Sequence, residues 1–291
     1  MSRSPGFFRR LAVAALALGT LTPQLAHAIE DVPVVQSNEA QDSLKEHVLG
    51  SVASTRWRNA PQRWFAAGRV DLGFFFFRPR FSAGYGQPHY RWIGLDLVPL
   101  ISPSAGGSYA GVRLEESWLE LRTGLLYQYS FNRSLLEARE SYDKRDIDLI
   151  TAERAQYLLW DSEIELNVTL GKFSFLSETQ PIYTGNLPDG RYVYLDSLAV
   201  VAASGWTLRQ RVGLEWFLPN TYLGVAPMAE ALWLDERSTV IVRAGVQLRL
   251  VLSEEVQVRT TLLPVVTSPD HLGRAGGDVL EISVRYLWAT E

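Results

Sequence analysis

The chain has no cysteine, only three lysines, and no long apolar run after its first 28 residues. Without cysteine it cannot be a small exported domain held together by disulfides, and its length suits one large domain or two smaller ones. Because no run of about 18 uncharged apolar residues follows residue 28, no transmembrane helix is predicted. The formal net charge of −4 argues against nucleic acid as a partner.

Residues 1–28 have the features of an export signal. Arg9 and Arg10 precede a short apolar run, and Ala26-His27-Ala28 fits a cleavage site of small residues. We predict that residues 1–28 are a signal peptide, with an uncleaved N-terminal anchor as the alternative. Residues 29–62 are polar and predict an N-terminal extension, which is periplasmic, plugs the interior of the following domain, or is a disordered tail.

From residue 63 onward, apolar and polar side chains alternate with a period of two. A helix cannot sort residues in this way, whereas successive side chains of a strand point to opposite faces. The segments with this alternation are about as long as a tilted strand needs to cross a membrane, ~9–11 residues. They include 118–130, 160–170, 206–216, 240–250, 256–262 and 280–288.

Short breaks that are polar or contain glycine or proline divide these segments, and one long break, 132–154, is rich in charge. We count about twelve strands, within a range of about ten to fourteen, if 64–85 is one long strand kinked at Pro79. A turn at Pro79 would change the count. The sequence therefore predicts an all-β fold, an antiparallel transmembrane β-barrel over residues 63–291 that follows the short extension.

A soluble β-sandwich would also alternate, so the character of the polar face matters. Here charges of both signs are interspersed, as in a narrow barrel interior where charges pair with each other. Asp96 and Arg113 belong to this face. The charges predicted to line the lumen are Arg69, Asp71, Glu120, Arg122, Asp161, Glu163, Glu165, Arg209, Arg211, Glu215, Arg243, Arg249, Arg259, Glu281 and Arg285.

The tryptophans lie near the ends of the apolar stripes. Indole rings prefer the headgroup level of a bilayer, so girdles of this kind mark the two interfaces of a membrane barrel. The core of a sandwich would place tryptophan in mid-strand more often. The predicted interface residues are Trp64, Trp118, Trp160, Trp206 and Trp288.

The last predicted strand, Leu280-x-Ile282-x-Val284-x-Tyr286-x-Trp288, resembles the closing strand of bacterial outer-membrane β-barrel proteins. In that class an aromatic residue, usually phenylalanine, ends the strand and is read by the barrel assembly machinery. Here tryptophan takes its place and three residues follow. The resemblance implies an outer-membrane location, with membrane lipid and the assembly machinery as partners, and leaves the oligomeric state open.

Shorter segments resemble uncharacterised exported barrel proteins of myxobacterial type. That resemblance implies no activity. The segments are Arg63-Trp64-Phe65, Arg69-Val70-Asp71-Leu72-Gly73, Ser82-Ala83-Gly84-Tyr85-Gly86, Tyr192-Val193-Tyr194 and Tyr286-Leu287-Trp288-Ala289-Thr290.

Two groups of residues could carry chemistry. Ser268, Asp270 and His271 share one predicted loop, but a hydrolase needs its nucleophile, base and orienting group in mutual contact, which neighbours in one loop rarely achieve. We interpret them as a polar turn.

The second group is Asp161, Glu163 and Glu165, which point the same way from one strand and could bind a hard cation. The neighbouring arginines favour a salt-bridged interior instead. The sequence predicts no catalytic residue, no metal and no cofactor.

The predicted function is a porin-like barrel of a Gram-negative outer membrane, either a pore for small polar solutes or a membrane-embedded scaffold, and not an enzyme. A barrel of this size can be nearly filled by its own side chains, so an open pore does not follow from the fold. Two alternatives stay open. One is a hydrolase of protease or lipase type at the barrel rim, and the other is a soluble periplasmic β-sandwich that binds a partner.

Overall fold

The structure is a computed structural model that describes residues 55–73, 76–148, 153–170, 172–218, 222–273 and 277–290. All of them lie in one compact unit, Glu46–Glu291. The predicted signal peptide and most of the predicted extension lie outside the described residues. Among the described residues, no helix has the length and apolar character needed to cross a membrane.

The described elements are two short helices and sixteen strands. The helices are α1 (Thr55–Arg58) and α2 (Lys144–Asp148). The strands are β1 (Arg63–Gly73), β2 (Phe77–Gln87), β3 (Arg91–Ile101), β4 (Ala105–Glu116), β5 (Leu119–Ser134), β6 (Leu136–Glu137), β7 (Arg154–Leu170), β8 (Phe173–Gly185), β9 (Arg191–Leu195), β10 (Val200–Ala202), β11 (Gly205–Phe217), β12 (Leu223–Leu234), β13 (Thr239–Val251), β14 (Val256–Leu263), β15 (Val265–Thr267) and β16 (Val279–Ala289).

Twelve of these strands form a closed antiparallel barrel. Each pairs with the next barrel strand along the chain, and β1 pairs with β16 to close the ring. Strand β15 continues β14 beyond Pro264 and pairs with β13 across a register shift, as expected where a proline has no N–H to donate. The predicted antiparallel barrel of about twelve strands is confirmed.

The prediction of one long strand over 64–85 was wrong. Strand β1 ends at Gly73 and β2 begins at Phe77, and the two pair with each other. The Gly73 N–H donates to the Phe76 carbonyl at 2.9 Å, which closes the reversal. Pro79 lies inside β2 opposite Val70 and is neither a kink nor a turn. The change of face that the sequence shows near Pro79 therefore arises from the reversal before Phe77.

The barrel carries apolar side chains outside and polar ones inside, the inverse of a soluble protein. On β3, Ile93, Leu95 and Leu97 are 58%, 63% and 49% exposed, whereas Asp96 and Val98 are 3% and 2% exposed. A closed barrel satisfies its backbone hydrogen bonds internally, so such a surface can face hydrocarbon. The structure is a membrane-spanning barrel and not a β-sandwich.

The two ends of the barrel differ in their connections. At the short-turn end, a few residues join β2 to β3, β4 to β5, β7 to β8, β11 to β12 and β13 to β14. At the long-loop end, the segments 135–153, 186–204 and 264–278 connect strands. These loops contain α2 and a separate three-stranded sheet in the order β10-β9-β6.

Candidate functional site

The inward positions of the barrel strands carry the charges that the alternation singled out. Each of the predicted charges lies on the side of its strand that faces the interior. Asp71, Asp161, Glu163, Arg209, Glu215, Arg243 and Arg249 are buried, and Arg69, Glu120, Arg122, Glu165, Arg211, Arg259, Glu281 and Arg285 are half-buried.

The five predicted interface tryptophans lie towards the two ends of the barrel. Trp64, Trp118 and Trp288 are near the short-turn end, and Trp64 is 79% exposed. Trp160 and Trp206 lie towards the long-loop end, with ring centroids 6.1 Å apart. The outer face thus has tryptophan at two levels.

Arg113 on β4 is the centre of one interior ion-pair cluster. Its Nε lies 2.8 Å from Asp96 Oδ2, and its Nη2 lies 3.1 Å from Glu120 Oε1. Arg80 Nη1 approaches the same Glu120 oxygen at 3.6 Å. The guanidinium groups and carboxylates of four neighbouring strands, β2 to β5, therefore compensate each other's buried charge.

Arg122 on β5 holds two of the three carboxylates that lie on β7. It donates two hydrogen bonds to Glu163, at 3.0 and 2.7 Å, and its Nη2 lies 3.5 Å from Asp161. Gln180 donates to Asp161 at 2.6 Å. Glu165, the third carboxylate, has no cation within 4.0 Å among the described residues.

Among the described residues, the cluster that most resembles a metal site is not the group Asp161, Glu163 and Glu165 that the sequence suggested. Glu120, Glu163 and Glu165 each offer an oxygen within 4.8 Å of the others. Glu163 is already engaged by Arg122 and Glu120 by Arg113, so two of the three carboxylates are neutralised by arginine. We therefore assign no cation to this cluster.

Glu230 on β12 lies between two arginines and is fully buried. Arg211 Nη2 donates to Glu230 Oε2 at 2.6 Å, and Arg243 Nη1 donates to Oε1 at 2.7 Å. Arg249 likewise makes a two-point contact with Glu215. The alternation did not single out Glu230, because β12 is apolar on both faces. A lone carboxylate in such a strand is itself a signal, since it needs a partner when buried.

Asp71 on β1 pairs with two arginines as well. Arg285 Nε donates to Asp71 Oδ1 at 2.7 Å, and Arg69 Nε lies 3.1 Å from Oδ2. Most interior charges are thus paired. Among the described residues, the predicted lumen charges with no ion pair within 4.0 Å are Glu165, Arg259 and Glu281.

The interior of the barrel is apolar towards the long-loop end. The hairpin of β9 and β10 packs there, and Val193, Leu195 and Val200 are at most 1% exposed. It forms one buried apolar cluster with inward residues of seven of the twelve barrel strands, namely Val98, Tyr109, Leu126, Ala155, Tyr157, Leu159, Ile182, Leu232, Leu234 and Ile241. We call the segment 191–202 the plug hairpin.

Arg237 fixes the loops above the plug hairpin. It donates to both oxygens of Asp270 at 2.7 Å, and to the Val201 and Glu140 carbonyls at 3.0 Å. Its guanidinium carbon lies 5.2 Å from the centre of the Tyr142 ring. Burial opposes its charge, but the hydrogen bonds and the charge of Asp270 raise the pKa of Arg237 above its usual value.

The same contacts bear on the hydrolase alternative. Asp270 is held by Arg237 and by the Tyr142 N–H, and His271 is exposed. The Ser268 hydroxyl accepts a hydrogen bond from the Asp270 N–H at 3.1 Å. Asp270 therefore fixes Arg237 and the loop backbone, as a structural turn does.

His89 lies in the short turn between β2 and β3, with a positive φ of 57°. Its Nε2 is 2.9 Å from the Trp288 carbonyl, and its ring packs edge-on against Trp57. Burial lowers the pKa of His89 to about 4, and the charges of Arg69 and Arg285 act in the same direction. The folded protein thus holds this histidine neutral at neutral pH.

We expect this histidine to make the barrel less stable in mild acid. Because the unfolded chain takes up a proton near pH 6.5 and the folded one near pH 4, stability should fall as pH drops between these values, by about 3 kcal/mol. His89→Asn, which tolerates the positive φ, should weaken that dependence. Urea unfolding in lipid vesicles across this pH range measures it, and equal slopes for both proteins would contradict the assignment.

Comparison with known proteins does not assign the chain to a family. No family model matches the chain. No curated protein matches it either. Similar solved structures include the KdgM porin in complex with disordered oligogalacturonate, at 8% identity, 76% of this chain, 98% of that chain and a TM-score of 0.38. The NanC porin has 8% identity, 78% and 98% coverage, and a TM-score of 0.34.

The beta domain of the Bordetella autotransporter BrkA is also similar, at 12% identity, 79% of this chain, 99% of that chain and a TM-score of 0.36. Likenesses at this level say nothing about solute or activity. The strand pairing and the apolar exterior carry the conclusion by themselves. The chain is an outer-membrane β-barrel protein.

Proposed function

We propose that the protein is a pore for small polar solutes whose long-loop mouth is closed by the plug hairpin. The observation that supports this is the division of the interior into two layers. Paired charges line the part towards the short-turn end, and an apolar plug fills the long-loop end. Short turns of such barrels face the periplasm, so the plug lies on the outer side.

The predicted lumen charges have a role in this proposal, since charges on the wall of a barrel set the selectivity among solutes. The predicted tryptophan girdles anchor the barrel at the two headgroup levels. No catalytic step is part of the proposal. The signal peptide at 1–28, the extension at 29–62 and the resemblance to myxobacterial barrels stay predictions from the sequence.

The plug hairpin is an addition to the barrel and not part of its wall. Strands β9 and β10 belong to the separate sheet, and every barrel strand has two barrel neighbours without them. The hairpin is held by apolar packing and by a few polar contacts, among them Arg243 donating to the Ala199 carbonyl at 2.9 Å. It can therefore leave the mouth while the ring of strands stays closed.

Deleting the plug hairpin tests the proposal. With residues 191–202 replaced by a short glycine-containing turn, the refolded barrel should conduct ions steadily in a planar bilayer, with roughly tenfold or more current than the intact protein. Removal of the plug hairpin leaves an unfilled mouth with an apolar wall above the charged layer, and water can then reach that layer.

Asp143→Asn, an exposed change in the same loops, is the control and should leave the current at the level of the intact protein. Heat-modifiable gel mobility verifies that each variant has folded. A folded deletion variant that still does not conduct would contradict the pore and favour the membrane-embedded scaffold.

A further inference from the structure

We propose that the cavity at the short-turn end binds a small zwitterion, a solute with an ammonium group at one end and a carboxylate at the other. This inference rests on the proposed function in that the zwitterion would be the class of solute that the pore passes. The cavity has a volume of about 180 Å³ and is bordered by the turns that contain Tyr90 and Trp118. It has room for several water molecules, which suits a ligand of a few heavy atoms.

The two sides of this cavity carry opposite charge. The arginine wall comes from β1, β2, β13, β14 and β16, and consists of Arg69, Arg80, Arg249, Arg259 and Arg285. The glutamate wall comes from β4, β5, β7 and β8, and consists of Glu115, Glu120, Glu165 and Glu178. Arg113, Arg211 and Glu215 also line the cavity, and each is held in an ion pair.

The glutamate wall is a single row across four strands. Glu115 pairs in register with Glu120, Glu120 with Glu165, and Glu165 with Glu178. Like charges directly opposite each other are destabilising, so the row needs cations. Arginines reach three of its members but not Glu165, for which no cation lies within 4.0 Å among the described residues. A carboxylate in this position can accept hydrogen bonds from an ammonium group.

The arginine wall, in turn, contains a positive charge that lacks an anionic partner in the described part of the chain. Among the described residues, no carboxylate lies within 4.0 Å of the Arg259 guanidinium. Its partners in register are Ser283 and Arg249, and Arg249 is taken by Glu215. Arg80 is 5% exposed, and among the described residues its Nε has no hydrogen-bond partner. Arg69, Arg249 and Arg285 are held in ion pairs, so Arg259 and the Arg80 Nε are the groups of this wall that can donate to an anion.

The two unpaired charges face each other across the barrel. From β7, which carries Glu165, it is five strands one way and seven the other to β14, which carries Arg259. Both side chains line the same cavity. A dication would be attracted by Glu165 and repelled by the arginine wall. A dianion would be attracted by the arginine wall and repelled by the glutamate wall. Only a ligand with both charges satisfies both walls, and this difference gives selectivity.

Three six-carbon probes separate these cases, namely 6-aminohexanoate, adipate and 1,6-diaminohexane. Isothermal titration of the intact protein in detergent should show 6-aminohexanoate binding at least about tenfold more tightly than the other two. Glu165→Gln and Arg259→Gln should each weaken it by about tenfold, because each removes one charge-assisted contact. Neither variant breaks an ion pair, so both should fold as the parent does.

Glu281→Gln is the matched control, since Glu281 is another interior carboxylate that makes no ion pair with a described residue and does not line the cavity. It should bind 6-aminohexanoate as the parent does. Adipate binding as tightly as 6-aminohexanoate, no binding of 6-aminohexanoate, or unchanged affinity in both cavity variants would each overturn the proposal. The readout does not depend on conduction. Binding without current in the hairpin deletion leaves this inference standing and contradicts the pore.

Discussion

Replacing Glu230 by alanine should lower the free energy of unfolding by about 3–5 kcal/mol, the largest loss that we expect from one interior substitution. Glu230 is fully buried and receives hydrogen bonds from Arg211 and Arg243. Its removal leaves two guanidinium groups without their shared anion. Arg243 is 1% exposed, so water cannot replace the lost carboxylate.

Urea unfolding of the refolded barrel in phospholipid vesicles measures the effect. Glu281→Ala is the control, because the structure gives Glu281 no ion pair to lose among the described residues. Its free energy of unfolding should stay within about 0.5 kcal/mol of that of the parent protein. A Glu230→Ala barrel as stable as this control would show that water reaches Arg211 and Arg243.

Placing arginine at Val246 should cost about 2–4 kcal/mol, because this residue faces the hydrocarbon near the middle of β13. Its partners in register are Pro227 on β12 and Leu262 on β14, both on the outer face. A guanidinium group there has no carboxylate and no water within reach.

Gln247→Arg, one residue along, points into the cavity and should cost less than half as much, since water is available there. The same vesicle assay compares the two variants. Equal losses would mean that positions 246 and 247 share one environment, which the alternation of β13 forbids.

Local periodicity was enough to predict the barrel and its two faces, and not enough to predict the plug hairpin. The alternation of β5 left Leu126 as an apolar residue on the polar face, and Ile241 and Leu287 were similar exceptions. In the structure Leu126 and Ile241 belong to the buried cluster that contains the plug hairpin. These two exceptions were a sign of the hairpin in the sequence, but no local pattern shows which loop folds back to cover them.

The reversal between β1 and β2 was missed for a different reason. The reversal begins at Gly73 and is followed by a run of phenylalanines, and one glycine before a run of aromatic residues does not mark a turn by itself. The change of face was visible in the sequence, and only its position was wrong. The opposite walls of the cavity were also beyond prediction, because they depend on which strands lie across the ring from each other.

The position of the plug hairpin along the chain sets an order of assembly. It lies between β8 and β11, yet it packs against Leu232 and Leu234 on β12 and Ile241 on β13. The hairpin can therefore dock completely only on a wall that already contains β12 and β13, whatever the order in which the strands join. Contacts this distant in sequence form late. The mouth of the unfinished barrel stays apolar and open to water until those strands are in place, and the sealing of the mouth is a late event of folding.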